Sequence, residues 1–327
     1  MEESSELKFK PQRKILIATD GSETANEAAD FGIETLRFSR AKVYSVYVID
    51  TTSYGSVPKD EKWSKKIEQF EEIGHEAASY VEEKAKAAGL KAESIVLKGN
   101  PAEEILDFAE GQEVDMIVVG SLGKSGIKRV MLGSVSEKVV RHAKVPVLVV
   151  RERKEEKTHK QILIAIDGSI AAENAADYGI EIAGWIGAKV YAVYVIEISS
   201  FNSILMDEVW TKNMYEHFEK IGRKATSDVE ENAKAAGIEA ESIVLKGNPA
   251  KEILDFVEKQ KVDMIVVGSI GKSGVQSFLL GSISGKVLRH SKIPVLVVRE
   301  IFKFPRYFSR SQRNAKVPSD VVSGEKE

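Results

Sequence analysis

The chain has 327 residues, 43% of them hydrophobic and 30% charged, enough for two domains that each bury a core. Its net charge of -3 speaks against a general binder of nucleic acid or anionic membrane, which normally presents a basic face. It has no cysteine, which excludes disulfides, zinc–thiolate centres and cysteine nucleophiles.

Residues 1–12 read as a polar tail without the apolar core of a signal peptide. No apolar run approaches the ~20 residues of a membrane span, so the expected setting is cytoplasmic. "KILIAT" from Lys14 is predicted as a buried strand, followed by a helix from about Glu23 to Ser39. "AKVYSVYV" is the second strand, and a long helix rich in Glu, Lys and Ala then ends near Gly89. "ESIVLK" is the third strand, and Pro101 opens the next helix, where its missing N–H costs nothing. "DMIVVG" is the fourth, followed by a glycine-bearing loop, a helix from Ser134 to about His142, and the strand "VPVLVV".

The pattern then starts again. "KILIATDGS" at Lys14 is matched by "QILIAIDGS" at Gln161, and "ESIVLKGNPA" occurs identically at Glu93 and Glu241. "RHAKVPVLVVRE" at Arg141 answers "RHSKIPVLVVRE" at Arg289, so a whole domain is duplicated. The expected boundaries are 13–151 for the first domain, 152–159 for a charged linker, 160–300 for the second, and 301–327 for a C-terminal tail. Strand–helix alternation with continuous Val/Ile/Leu strands predicts parallel sheets covered on both faces. The fold class expected is α/β, two tandem doubly wound five-stranded domains.

In such sheets a ligand sits beyond the carboxyl ends of the strands, at the switch in strand order. Asp20 leaves the first strand and the Gly120 loop leaves the fourth; if these strands are neighbours at the switch point, both face one crevice. Ser134 reads as the N-cap of the helix that follows, and the first turn of that helix suits an anion. Gly120 and Gly123 would let backbone approach a ligand without a Cβ in the way. Asp20 and Asp167 read either as caps of the first helix of each half or as ligand contacts.

"GSLGKSGIKRVMLGS" (120–134) and "GSIGKSGVQSFLLGS" (268–282) both contain GKS, yet neither is a Walker A loop. That loop requires glycine five residues before the glycine of GKS, and Val118 and Val266 stand there. Gly-x2-Gly-x9-Gly-Ser does fit, through Gly120, Gly123, Gly133 and Ser134, and again through Gly268, Gly271, Gly281 and Ser282.

With "ATDGS" and "AIDGS" after the first strands and "VPVLVV" at the end, the chain resembles the ATP-binding branch of the universal stress protein family. The resemblance spans nearly the whole chain and adds an adenine-nucleotide-hydrolase-like fold to the expectations. In that fold the last strand is a sheet edge, so the two apolar last strands are expected to pair, giving an internal pseudo-dimer. It implies that Asp20 and Asp167 lie against the nucleoside and that Val48 and Val195 offer backbone to the adenine edge. Gly120 and Gly268 would lie by the ribose. Gly123, Gly133, Ser134, Val135 and Ser136 would wrap the phosphates, as would Gly271, Gly281, Ser282, Ile283 and Ser284. Lys124 and Lys272 reach phosphate or stay solvated. Ala18, Thr19 and Val119, with Ala165, Ile166 and Val267, complete the expected set at the strand ends.

The implied ligand is ATP or AMP, with Mg2+ accompanying ATP, one nucleotide per domain, and a regulatory role in the stress response. No nucleic acid or membrane partner is expected. A homodimer of the tandem chain stays open, and the sequence names no protein partner. Two alternatives stand beside this: a slow ATPase, and a nucleotide-free interaction scaffold. Neither a Walker B partner nor a loop histidine is found, so no catalytic residue is assigned. His142 and His290 read as structural, complementing helix C-termini. Lys128 and Arg129 in the first loop, against Gln276 and Ser277 in the second, suggest unequal affinity for extra phosphates.

Overall fold

The computed structural model describes residues 12–53, 61–122, 132–151, 160–197, 208–270 and 280–299. The expected linker, the C-terminal tail and all but Gln12 of the N-terminal tail therefore lie outside the described residues. In the first half β1 (Lys14–Ala18) precedes α1 (Glu23–Leu36), and β2 (Lys42–Asp50) precedes α2 (Glu61–Ala87). β3 (Lys91–Gly99) leads to α3 (Pro101–Gly111), β4 (Met116–Gly120) to α4 (Ser134–His142), and β5 (Val147–Val150) closes the half. The second half repeats this with β6 (Gln161–Ile166), α5 (Ile170–Ile186), β7 (Lys189–Glu197) and α6 (Glu208–Ala235). It continues with β8 (Ala240–Gly247), α7 (Pro249–Gln260), β9 (Met264–Gly268), α8 (Ser282–His290) and β10 (Val295–Val298).

Local chemistry sets the helix ends. Asn100 caps α3 by accepting from the Ala102 N–H, with Pro101 in the first helical turn. α1 stops at Leu36 rather than near Ser39, because the Leu36 carbonyl accepts both the N–H and the hydroxyl of Ser39. That local bond ends the helix one turn early.

The strands form one ten-stranded sheet in the order β3-β2-β1-β4-β5-β10-β9-β6-β7-β8. Pairing is parallel within each half and antiparallel where the halves meet, with Leu148 opposite Leu296 and Val149 opposite Val295. The last strands thus join as the sequence suggests, and neither is left as an apolar edge. Alternation along each strand divides the core into two layers. Ile15, Ile17 and Val118 pack with α1 and α2 on one face, whereas Leu16, Ile117 and Val119 pack with α3 and α4 on the other. The second half repeats the division with Ile162 and Ile164 against Leu163 and Val267. This is the tandem doubly wound α/β architecture.

Candidate functional site

β1 pairs with β2 on one side and with β4 on the other, which makes β1/β4 the switch point of the first half. β6 holds the same place between β7 and β9. A cavity opens at the carboxyl ends of these strands in each half, of about 680 Å³ in the first and 400 Å³ in the second. Both lie within the ~300–1,000 Å³ of ordinary small-molecule sites.

Ala18, Thr19 and Asp20 at the end of β1 line the first cavity, and so does Val48 of the neighbouring β2. Val119 and Gly120 of β4 form its floor, and Gly133, Ser134, Val135 and Ser136 bring in the start of α4. In the second cavity Ala165, Ile166, Asp167 and Val195 take the corresponding places. Val267, Gly268, Gly281, Ser282, Ile283 and Ser284 complete it. Gly123, Lys124, Gly271 and Lys272 lie outside the described residues, as do Lys128, Arg129, Gln276 and Ser277.

The helix starts depart from expectation in an informative way. Gly133, not Ser134, is the N-cap of α4, and no side chain caps the first turn. Gly281 stands likewise at α8, again without a side-chain cap. Ser134 and Ser282 are instead the first residues inside their helices, and both are exposed at the cavity. Each helix start is fixed from behind. The Gly133 N–H donates to the Ser121 carbonyl at 2.7 Å, and the Ser136 hydroxyl donates to the Gly120 carbonyl at 2.6 Å. Gly281 donates to Ser269 at 2.7 Å and Ser284 to Gly268 at 2.6 Å. Two helix N-termini thus face two cavities, and among the described residues no side chain caps either first turn. The partial positive charge at such an end favours an anion.

Asp20 and Asp167 are not the caps of α1 and α5. Ser22 and Ser169 are, accepting from the Ala25 N–H at 3.3 Å and the Ala172 N–H at 3.2 Å. The aspartates brace those caps. Asp20 Oδ1 accepts from the N–H and hydroxyl of Ser22, at 3.0 and 2.5 Å, and Asp167 Oδ1 accepts from the Ser169 N–H at 2.9 Å. Gly21 and Gly168 between them have φ of +76° and +78°, which favours glycine in both turns.

Gly120 and Gly268 line the cavities, and the space a Cβ would take there is already occupied by backbone of the first helix. A Cβ on Gly120 would face the Thr24 carbonyl at 3.3 Å, and one on Gly268 would lie 2.9 Å from the Ala171 carbonyl carbon and the Ala172 nitrogen. These glycines let the first helix of each half pack closely onto the strand end.

Sequence reasoning missed part of the walls. Tyr47, Asp50, Phe70, Pro101 and Ile105 also line the first cavity, matched by Tyr194, Glu197, Phe218, Pro249 and Ile253 in the second. A signal existed in the lone glycines of the long helices. A Cβ on Gly74 would lie 2.7 Å from the Tyr47 ring, and one on Gly222 would lie 2.6 Å from the Tyr194 ring. Burial works against ionisation of Asp50, but hydrogen bonds from Ser53 and Thr52 outweigh it and hold its carboxyl below the ordinary range. Asp50 thus brings a carboxylate to the lining of the first cavity. Among the described residues there is no cluster of three or more potential metal ligands, and no helix is long and apolar enough to cross a membrane.

A crevice at the switch point, lined by strand ends and by the start of a helix, defines a doubly wound α/β domain with its cavity beyond the sheet. Here there are two in one chain. The chain belongs to the universal stress protein family, which it matches over residues 12–151 and 158–299. A universal stress protein of Methanocaldococcus jannaschii is 41% identical over 144 residues, 44% of this chain and 85% of that protein. One of Mycobacterium tuberculosis is 25% identical over 313 residues, 90% of this chain and 99% of that protein. Among solved structures, a universal stress protein from Archaeoglobus fulgidus is similar with a TM-score of 0.67 and 28% identity, covering 89% of this chain and 100% of that one.

Proposed function

We propose that each half binds one adenine nucleotide, ATP or AMP, and that the chain is a nucleotide-responsive regulator in the stress response rather than an enzyme. The observation that carries this reading is the pair of first helical turns, α4 and α8, that face a cavity with no side-chain cap among the described residues. A phosphate there accepts from backbone N–H groups and lies on the positive end of the helix. The nucleoside would extend toward β2 or β7, its base edge along the backbone at Val48 or Val195 and its apolar faces against walls that include Phe70 or Phe218. Asp20 and Asp167, braced by the serines behind them, would stand beside the sugar. Mg2+ accompanying ATP would be held by phosphate oxygens and water, the usual coordination of that ion at nucleotides. The cytoplasm is the proposed place of action.

The test is to denature the purified chain by heat and identify any released nucleotide by mass spectrometry. ATP and AMP are then titrated into the stripped protein by calorimetry. Two sites per chain are expected. A chain that releases no nucleotide and gives no binding heat with either compound would refute the reading and leave the scaffold alternative.

A further inference from the structure

One arginine follows the last strand of each half. Arg151 comes after β5 and Arg299 after β10, and both are buried, with 6% and 5% of their surface exposed. Arg151 Nη2 donates to the carbonyls of Leu288 and Arg289, at 2.8 and 2.9 Å, in the last turn of α8. Arg299 Nη2 donates to the Val140 carbonyl at 3.0 Å, and also to that of Arg141, in the last turn of α4. Each guanidinium therefore crosses between halves. It sits on the negative end of the helix whose positive end opens the other half's cavity.

The last carbonyls of a helix have no partner within it, and a cation there complements the helix dipole. α4 and α8 have nine residues each, so the arginine lies only about 13 Å from the turn at the cavity. Backbone bonds continue the path. The Val150 carbonyl accepts from Ser121 at 2.8 Å, and the Ser121 carbonyl accepts from Gly133, the N-cap of α4. The Val298 carbonyl accepts from Ser269 at 2.7 Å, and the Ser269 carbonyl accepts from Gly281, the N-cap of α8. Gly133, Ser121, Val150, Arg151, α8, Gly281, Ser269, Val298, Arg299 and α4 thus form a closed circuit that passes both cavities and crosses between the halves twice.

We propose that Arg299 is a positioning residue for the first anion site and Arg151 for the second, so that each site is completed by the opposite half. This rests on the reading of the cavities as nucleotide sites. The guanidinium fixes the height and tilt of the helix, and its charge opposes the negative end, so the first turn meets the phosphate in place.

The test titrates ATP into the full chain by calorimetry in two backgrounds. Ser282→Glu leaves the first site to be read, and Ser134→Glu leaves the second. In the Ser282→Glu chain, Arg299→Met is expected to weaken ATP binding roughly three- to tenfold, and by more than Arg151→Met does. In the Ser134→Glu chain the order reverses. Arg299→Lys and Arg151→Lys keep the charge and should show the same crossed order with smaller losses. These lysine variants also decide the matter if a methionine variant does not fold. Equal losses from both arginines in both backgrounds, the result of a merely loosened interface, overturn the proposal. If the unaltered chain binds two ATP but no crossed order appears, this proposal alone falls. If it binds none, the nucleotide reading falls and takes this one with it.

Discussion

Arg13 of the first half holds Glu181 of the second, with Nη2 2.7 Å from each carboxylate oxygen and the guanidinium stacked 5.3 Å from the centre of the Trp185 ring. Both side chains are largely withdrawn from water, at 14% and 17% exposure. The duplication does not repeat this contact, because the equivalent positions hold Lys160 and Glu34, both exposed. The interface between the halves is therefore lopsided at this point. Arg13→Met leaves the Glu181 carboxylate without this partner and should lower stability by about 1–3 kcal/mol. Lys160→Met should change it by less than about 0.5 kcal/mol. Urea unfolding midpoints decide between them, and equal effects would contradict the asymmetry.

The two strand-end glycines should not tolerate the same change equally. At Gly120 a methyl group meets the Thr24 and Leu122 carbonyls at 3.3 and 3.4 Å, tight but within reach of a small shift. At Gly268 it meets backbone at 2.9 Å, so the start of α5 must move. Gly268→Ala should cost about 1–3 kcal/mol through overpacking, and Gly120→Ala clearly less. Thermal unfolding of the two variants is the measurement, and a larger loss for Gly120→Ala would count against the packing account.

How far these features could be read beforehand depends on the range of the interaction. The alternation of strands and helices is local, so β1 to β5 and their repeat were visible in "KILIAT" and "VPVLVV". The crevice depended on β1 and β4 being neighbours, a long-range pairing that the structure supplies. The cap of α4 was misread because serine before a helix usually caps it, whereas here the chain enters one residue earlier, through Gly133. The packing of α1 on Gly120 was not legible because the sequence does not show which way an absent Cβ would point. Arg151 and Arg299 were in plain view in the repeated "VVRE". Their partners lie more than 130 residues away, and nothing in the composition marks an arginine as buried.

Because Ser134 is exposed in the first turn of α4, a carboxylate there tests the anion site with little risk to the fold. Ser134→Glu places negative charge where a phosphate would rest, while the helix gains about 0.3–1 kcal/mol from an acid near its N-terminus. Nucleotide stoichiometry should fall from two to one per chain with no loss of thermal stability. Ser282→Glu should do the same at the other cavity. A chain that still binds two nucleotides would place the phosphate elsewhere.

Acid should weaken the contacts between the long helices and the outer strands. The Lys86 ammonium lies 2.5 Å from Glu82, and with a hydrogen bond from Ser94 of β3 it holds the carboxyl below the ordinary 4.5. Lys234 and then Ser242 of β8 do the same for Glu230. A carboxyl lowered in the folded state stabilises it above the unfolded value, and that contribution is lost as pH falls through 4.5 and below. These groups are near the surface, so each contributes less than about 1 kcal/mol after solvent screening. Replacing both with glutamine should narrow the gap between urea midpoints at pH 6 and pH 3. An unchanged gap would show that the acid sensitivity arises elsewhere.

The antiparallel seam also sets a timetable for synthesis. Val149 and Val295 are neighbours in space but about 150 residues apart in the chain. At ~5–20 residues per second, the first half leaves the ribosome roughly 8–30 s before β10 exists to cover β5. During that interval a wholly apolar strand edge is open to any passing strand, including β5 of another nascent copy. Polysomes crowd such copies together, so the moment of greatest hazard for this protein falls before its second half is made.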